Sequence, residues 1–292
     1  MAIEFPQVDF VSLDMIPLVP HTPKANITFE VYDVYNGFAE PDASFDIVHT
    51  RRTVSQIRDY HAFLREVDRV LKPGGLLLFG QLEVEVYEYV LPIMSTFESP
   101  PHPDPVPDTQ IAPAHGSLPI MCRGMSMLRD SLTTQNCCVY MWRDLPYLLL
   151  PNSTLWQTSA SDFSKPPSGP TLAPAPHTSD HPDLPHPLRE TYPTIFPPPQ
   201  PRAQRLGYTS IQSQIHVLPT APWHSSSPRL RAIGDLVQQI GVANWTHFGL
   251  LFRQHGLSEA EAERLVAEGL AELARKERRT VMRYHTVHAT KI

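Results

Sequence analysis

The sequence predicts an α/β fold: a mostly parallel sheet with a C-terminal antiparallel strand pair, interrupted by a proline-rich insertion. Short apolar runs alternate with a helical pattern through residues 1–95, which is typical of buried parallel strands joined by helices. A strand, several helices and a second strand follow in residues 206–292. Between these blocks, 22 of the 32 prolines fall between residues 97 and 205. We therefore expect one interrupted domain rather than two independent ones.

The N-terminal block carries four short apolar runs that we interpret as strands, at residues 8–14, 27–31, 45–49 and 76–79. A helix between the last two is indicated by apolar residues on one face, namely Phe63, Leu64, Val67, Val70 and Leu71. Asp59 is placed to cap this helix, and the turn Lys72-Pro73-Gly74-Gly75 is placed to end it. The block therefore predicts a strand–helix–strand unit.

The prolines divide the middle of the chain, because proline lacks a backbone donor and fixes φ. We expect a proline-rich connection at residues 96–123, a helical segment at 124–160 and a disordered insertion at 161–205. The three consecutive prolines Pro197–Pro199 are interpreted as a solvated spacer, and an SH3 or WW ligand is the alternative.

The C-terminal block, residues 206–292, is predicted to complete the same domain. A strand is indicated at 208–218, helices at about 228–240 and 245–255, and a closing strand at 281–291. A third helix is predicted to start at Ser258, where Glu261 completes a capping box, and to run to about residue 278. We expect the two strands to form an antiparallel pair at one edge of the sheet.

Composition narrows the function classes. The net charge is −6 and the charges are mixed, so no basic stripe is present and no nucleic-acid partner is expected. Residues 1–10 have no signal-peptide pattern and no run of 18 apolar residues occurs, so we expect no membrane contact and a cytoplasmic or nuclear protein that is not secreted. The three cysteines match neither a zinc site nor a disulfide framework, so free thiols and no metal are predicted.

Four segments in order, VDFVSLDMIPL, NITFEVYDV, EPDASFDIVHTRRTV and RDYHAFLREVDRVLKPGGLLLFGQLE, carry a family resemblance. They resemble the Rossmann-like S-adenosylmethionine-dependent methyltransferases that are abundant in fungi. The resemblance covers residues 1–95 and extends with less detail to 124–156 and 206–292. It implies that a first strand with a Gly-x-Gly-x-Gly turn precedes these segments. No glycine occurs before Gly37, so we expect an N-terminally truncated chain with impaired cofactor binding.

The resemblance implies a cofactor site at the strand ends. Asp14, followed by Met15, would accept the ribose hydroxyls, and a carboxylate at a strand's carboxyl end suits that role. Asp33 would accept from the adenine amino group, with Val34 as the adjoining apolar wall. Each aspartate could instead simply end a strand or begin a turn. Dinucleotide-binding enzymes also place a carboxylate where Asp14 stands.

His49 is the candidate catalytic residue, because imidazole titrates near neutrality and residues 45–49 lead to the expected methyl-transfer crevice. An inert strand-end histidine is the alternative, and the neighbouring Arg51 and Arg52 could be surface charges. The expected function is methyl transfer to a small-molecule or protein acceptor. The rivals are a non-catalytic methyltransferase-like interaction protein and a nicotinamide-dependent reductase, although the sequence also lacks the reductase's glycine fingerprint and its Tyr-x-x-x-Lys motif.

Overall fold

The computed structural model describes residues 2–15, 25–53, 56–89, 111–157, 206–224, 227–275 and 278–292. It confirms the predicted α/β fold. The insertion at 161–205, with the Pro197–Pro199 motif, lies outside the described residues, as does the first part of the connection at 96–123.

The first two strands form a parallel pair of their own. β1 (Phe10–Asp14) and β2 (Ile27–Val31) run in register, from Phe10 opposite Ile27 to Asp14 opposite Val31. In the described part of the chain, neither strand joins the larger sheet. The predicted single sheet is therefore observed as two.

The larger sheet is mixed. β3 (Phe45–Arg51) pairs in parallel with β4 (Leu71–Leu82), which pairs antiparallel with β8 (Thr280–Lys291). β7 (Tyr208–Pro219) pairs antiparallel with the other side of β8. The short β5 (Tyr87–Tyr89) pairs antiparallel with β8 on the same side as β4, and β5 in turn pairs with β6 (Ile111–Pro113). The N-terminal ladders are parallel as predicted, whereas every ladder of β8 is antiparallel. The predicted antiparallel edge pair is confirmed, since β7 lies at the edge and pairs with β8, which lies between β7 and β4.

The helices follow the sequence pattern with shifted ends. They are α1 (Tyr60–Val70), α2 (Pro119–Thr134), α3 (Met141–Leu148), α4 (Thr154–Gln157), α5 (Pro228–Trp245), α6 (Phe248–Gln254) and α7 (Glu259–Ala274). The connection predicted at 96–123 is not wholly irregular, because it supplies β6 and the first turn of α2, where Pro119 occupies a favourable first position. Across the described ranges, no helix has the length and apolar character needed to span a bilayer.

Local signals explain several of these ends. The Asp59 carboxylate accepts from the Ala62 amide at 2.9 Å and caps α1, as predicted. Ser258 and Glu261 form the predicted capping box at the start of α7. The turn predicted at residues 72–75 lies instead within β4, where the register shifts between Leu71 and Leu76, and Gly74 there has a φ of +78°, which a glycine adopts without strain.

One face of the larger sheet packs against helices. The predicted apolar face of α1 is buried there against Leu77 and Phe79 of β4 and Val287 and Ala289 of β8. A second core surrounds Trp245, whose ring stacks on Phe248 with centroids 4.5 Å apart and whose indole N–H donates to the Val266 carbonyl at 3.1 Å. These cores fix the carboxyl ends of β3 and β4 relative to β8.

Candidate functional site

The two predicted cofactor carboxylates lie at one edge of the β1–β2 pair. Because the strands are parallel and in register, Asp14 ends β1 opposite Val31, and Asp33 lies two residues beyond Val31. Ligands of open α/β sheets bind outside the carboxyl ends of the strands. Both aspartates are half-buried, whereas Met15 is exposed.

Hydrogen bonds order the loop that carries Asp33 and Val34. The Asp33 carboxylate accepts from the Tyr35 amide at 2.9 Å and caps a short 3-10 turn, Val34–Asn36. The Tyr35 hydroxyl donates to the Gln56 carbonyl at 2.9 Å and accepts from the Arg58 amide. The loop is thus tied to the segment that leads into α1.

Arg69 of α1 clamps the same loop further along. Its guanidinium donates to the carbonyls of Phe38 at 2.9 Å and Glu40 at 2.8 Å, and to the Asp42 carboxylate at 2.9 Å. Glu66 accepts from Arg69 and from the Phe38 amide, the latter at 3.1 Å. The loop after β2 is therefore held to α1 by charge-assisted hydrogen bonds, which are stronger than neutral ones.

A cavity of about 50 Å³ lies beneath this loop, lined by Val34, Tyr35, Gly37, Ile57, Ala62, Phe63 and Glu66. Binding pockets for small molecules typically measure ~300–1,000 Å³, so this cavity is far too small for an adenosine. Val34 itself packs against the core. An adenosine near Asp14 and Asp33 would therefore have to lie outside this cavity.

The residues present fit only part of S-adenosylmethionine. Two carboxylates on adjoining strand ends supply acceptors for hydroxyl and amino donors, and Met15 and Val34 adjoin them as apolar groups. The glycine turn that would allow close backbone approach to the methionine portion has no counterpart here, since the first glycine of the sequence is Gly37.

His49 lies on β3, in the other sheet, and no ladder joins it to the strand pair of Asp14 within the described residues. Its side chain is exposed, and partial desolvation together with the nearby Arg51 charge lowers its pKa. A lowered pKa keeps the imidazole neutral at pH 7, which is the form that accepts a proton.

Sequence reasoning missed two groups that β8 brings to the end of β4. The Tyr284 hydroxyl lies over Gly80, where an added β-carbon would come within 2.1 Å of it. Glu83 is buried, with its carboxylate 3.1 Å from His285 Nε2 and accepting from the Tyr87 hydroxyl at 2.6 Å. The only signal available was Gly80 itself, a glycine inside an apolar strand, which indicates close approach of another group.

Comparison with known proteins supports the resemblance for the N-terminal block. A family model described as a methyltransferase domain matches residues 11–79. The secondary metabolism regulator laeA of Coprinopsis cinerea is 32% identical over 90 residues, which are 30% of this chain and 22% of that protein. Methyltransferase str3 of Strobilurus tenacellus is 32% identical over 82 residues, which are 28% of this chain and 30% of that protein. The matches thus span between a fifth and a third of these relatives.

Among solved structures, phosphoethanolamine N-methyltransferase 2 of Haemonchus contortus aligns with 99% of this chain and 45% of its own at 13% identity, with a TM-score of 0.37. An S-adenosylmethionine-dependent methyltransferase of Mesorhizobium loti aligns with 26% of this chain and 37% of its own at 23% identity, with a TM-score of 0.24.

Proposed function

From the methyltransferase-domain match of residues 11–79, we propose that this chain serves S-adenosylmethionine-dependent methyl transfer, with its adenosine site at the β1–β2 edge. One observation carries the proposal: the parallel, in-register pairing of β1 and β2 that brings Asp14 and Asp33 to the same edge. In this assignment Asp14 accepts the ribose hydroxyls, Asp33 accepts from the adenine amino group, and Met15 and Val34 flank the base.

Methyl transfer from S-adenosylmethionine requires few catalytic side chains. When bound, S-adenosylmethionine supplies a methyl group on a sulfonium, so the protein mainly aligns the acceptor with that group in a dry site. His49 would take the proton that the acceptor atom loses as the new bond forms, since its lowered pKa leaves it neutral at pH 7. The acceptor is a small molecule or a protein side chain.

Calorimetric titration of the whole chain with S-adenosylmethionine tests the site. We expect binding heat in the wild type and its loss in Asp14→Ala, because the carboxylate is the acceptor for two hydroxyl donors. Asp9→Ala is the matched control, since Asp9 is an exposed carboxylate just before the amino end of the same strand. Circular dichroism of each variant establishes that it is folded. No heat from folded wild-type protein, or equal heat in both variants, would remove the proposal.

A second candidate is a non-catalytic methyltransferase-like interaction protein. The observation that favours it is that, among the described residues, no ladder joins the β1–β2 pair to the larger sheet. For this candidate we expect a folded chain that gives no binding heat with S-adenosylmethionine. The same chain would still retain a protein partner in a pull-down.

A further inference from the structure

Two adjacent arginines, Arg51 at the end of β3 and Arg52 directly after it, lie near a tyrosine from β8. Arg51 is opposite Gly80 in the β3–β4 ladder, and the Arg52 amide donates to the Gly80 carbonyl at 2.8 Å. Tyr284 fills the space above Gly80 with its hydroxyl, because glycine offers no side chain there. Arg51 and the Tyr284 hydroxyl therefore lie on the same face of the sheet, on either side of the Gly80 position.

Arg52 adopts a backbone conformation that arginine seldom takes. Its φ is +58°, in the left-handed region that is costly for residues with a side chain. Strained residues of this kind concentrate at functional sites, where the surrounding structure holds them. Here the hydrogen bond to Gly80 holds Arg52 at the carboxyl end of the parallel strands, where ligands of such sheets bind.

The local charge is positive and has no counter-charge among the described residues. Both arginines are exposed and make no ion pair there, whereas Arg69 and Arg129 each pair with carboxylates. Burial raises the pKa of the Tyr284 hydroxyl, and the Arg51 and Arg52 charges oppose that rise. Arg51 also acts on His49, two residues earlier on the same face of β3.

We propose that Arg51, Arg52 and the Tyr284 hydroxyl form a subsite for an oxyanion, a carboxylate or a phosphate, on the methyl acceptor. Guanidinium groups bind both oxyanions through paired, charge-assisted hydrogen bonds, and a hydroxyl adds one more donor. The assignment to an acceptor rests on the proposed methyl transfer. His49 lies beside the subsite, so an acceptor anchored by its anionic group would present a neighbouring atom to the imidazole.

The test is calorimetric titration of the full chain, at low ionic strength, with inorganic phosphate and separately with benzoate. We expect Arg51→Gln and Arg52→Gln each to weaken binding of the preferred anion by ~10-fold or more, and Tyr284→Phe to weaken it less, because charged donors contribute more than a neutral hydroxyl. Arg264→Gln is the matched control, an exposed arginine on α7, and should bind as the wild type does. The anion that binds more tightly identifies the acceptor's group.

The same variants are titrated with S-adenosylhomocysteine, so that the two proposals fail separately. Retained heat in the arginine variants, with its loss in Asp14→Ala, supports an acceptor subsite distinct from the cofactor site. Loss of that heat in folded arginine variants would overturn the acceptor assignment. S-adenosylhomocysteine could give no binding heat while phosphate or benzoate binding still depends on the arginines. That result would overturn the proposed methyl transfer and support the oxyanion subsite. Equal affinity in Arg51→Gln, Arg52→Gln and Arg264→Gln, or no anion binding at all, overturns the subsite.

Discussion

Replacing His285 with Phe isolates one buried hydrogen bond that joins β8 to the end of β4. The His285 ring is 1% exposed, stacks on Trp142 with centroids 3.7 Å apart, and places Nε2 3.1 Å from the Glu83 carboxylate. Phenylalanine keeps a flat ring for the stack and removes the hydrogen bond. Hydrogen bonds to charged groups contribute ~1.5–3 kcal/mol, so we expect the free energy of unfolding to fall by that amount.

Urea unfolding at pH 7, followed by tryptophan fluorescence, measures this change. His288→Phe is the matched control, because His288 lies on the same strand with its side chain on the opposite face, and it should change stability by no more than ~0.5 kcal/mol. A cycle with Glu83→Gln should be non-additive, since the two side chains are in contact. An additive cycle, or equal effects of the two histidine substitutions, would show that the His285–Glu83 hydrogen bond does not stabilise the fold.

Three further perturbations test the fold. Burial opposes ionisation of Glu83, but hydrogen bonds from His285 and Tyr87 and the Arg283 charge leave its pKa below 4.5. The wild type should therefore be more stable than Glu83→Gln above pH 4.5. Urea unfolding at a series of pH values should show this advantage disappearing as the pH falls through the lowered pKa. Gly269→Ala would bring a β-carbon within 2.2 Å of the buried Trp245 ring and should lower the free energy of unfolding by ~1–3 kcal/mol in thermal unfolding. Gly241→Ala is the control, since the nearest neighbour of its β-carbon is 3.8 Å away, and it should not destabilise the protein. Equal effects of the two substitutions would contradict the packing around Trp245. Lys291→Met leaves the buried Asp68 carboxylate without the ammonium 3.4 Å away, and the free energy of unfolding in urea should fall by ~3–5 kcal/mol. A fall below ~1 kcal/mol would show that this ion pair contributes little to stability.

Local signals predicted much of the fold. Three features were predictable from the sequence because each depends on residues within one or two helical turns of each other: the apolar face of α1, its Asp59 cap and the Ser258–Glu261 capping box. The parallel pairing of β1 with β2 also followed from short apolar runs. The sequence could not show that β8 lies inside the sheet, because β8 pairs with strands that are distant in sequence.

The candidate site was predictable at its strand ends only. Asp14, Asp33, His49 and the two arginines each follow or end an apolar run, which is a local pattern. Tyr284 and the Glu83–His285 pair were missed, because they are assembled by the β4–β8 ladder and no periodicity within either segment marks them. That two sheets form where one was expected also depends on pairing between distant segments.

The proposed adenosine site at the β1–β2 edge depends on Asp14 and Asp33. Saturation-transfer difference NMR with adenosine alone measures this directly, because adenosine lacks the methionine portion that a glycine turn would contact. We expect saturation of the ribose and base protons by the wild type and by Asp9→Ala, and its loss in a folded Asp14→Ala/Asp33→Ala double variant. Equal saturation in the double variant and the wild type, or none in any folded protein, would rule out an adenosine site at this edge.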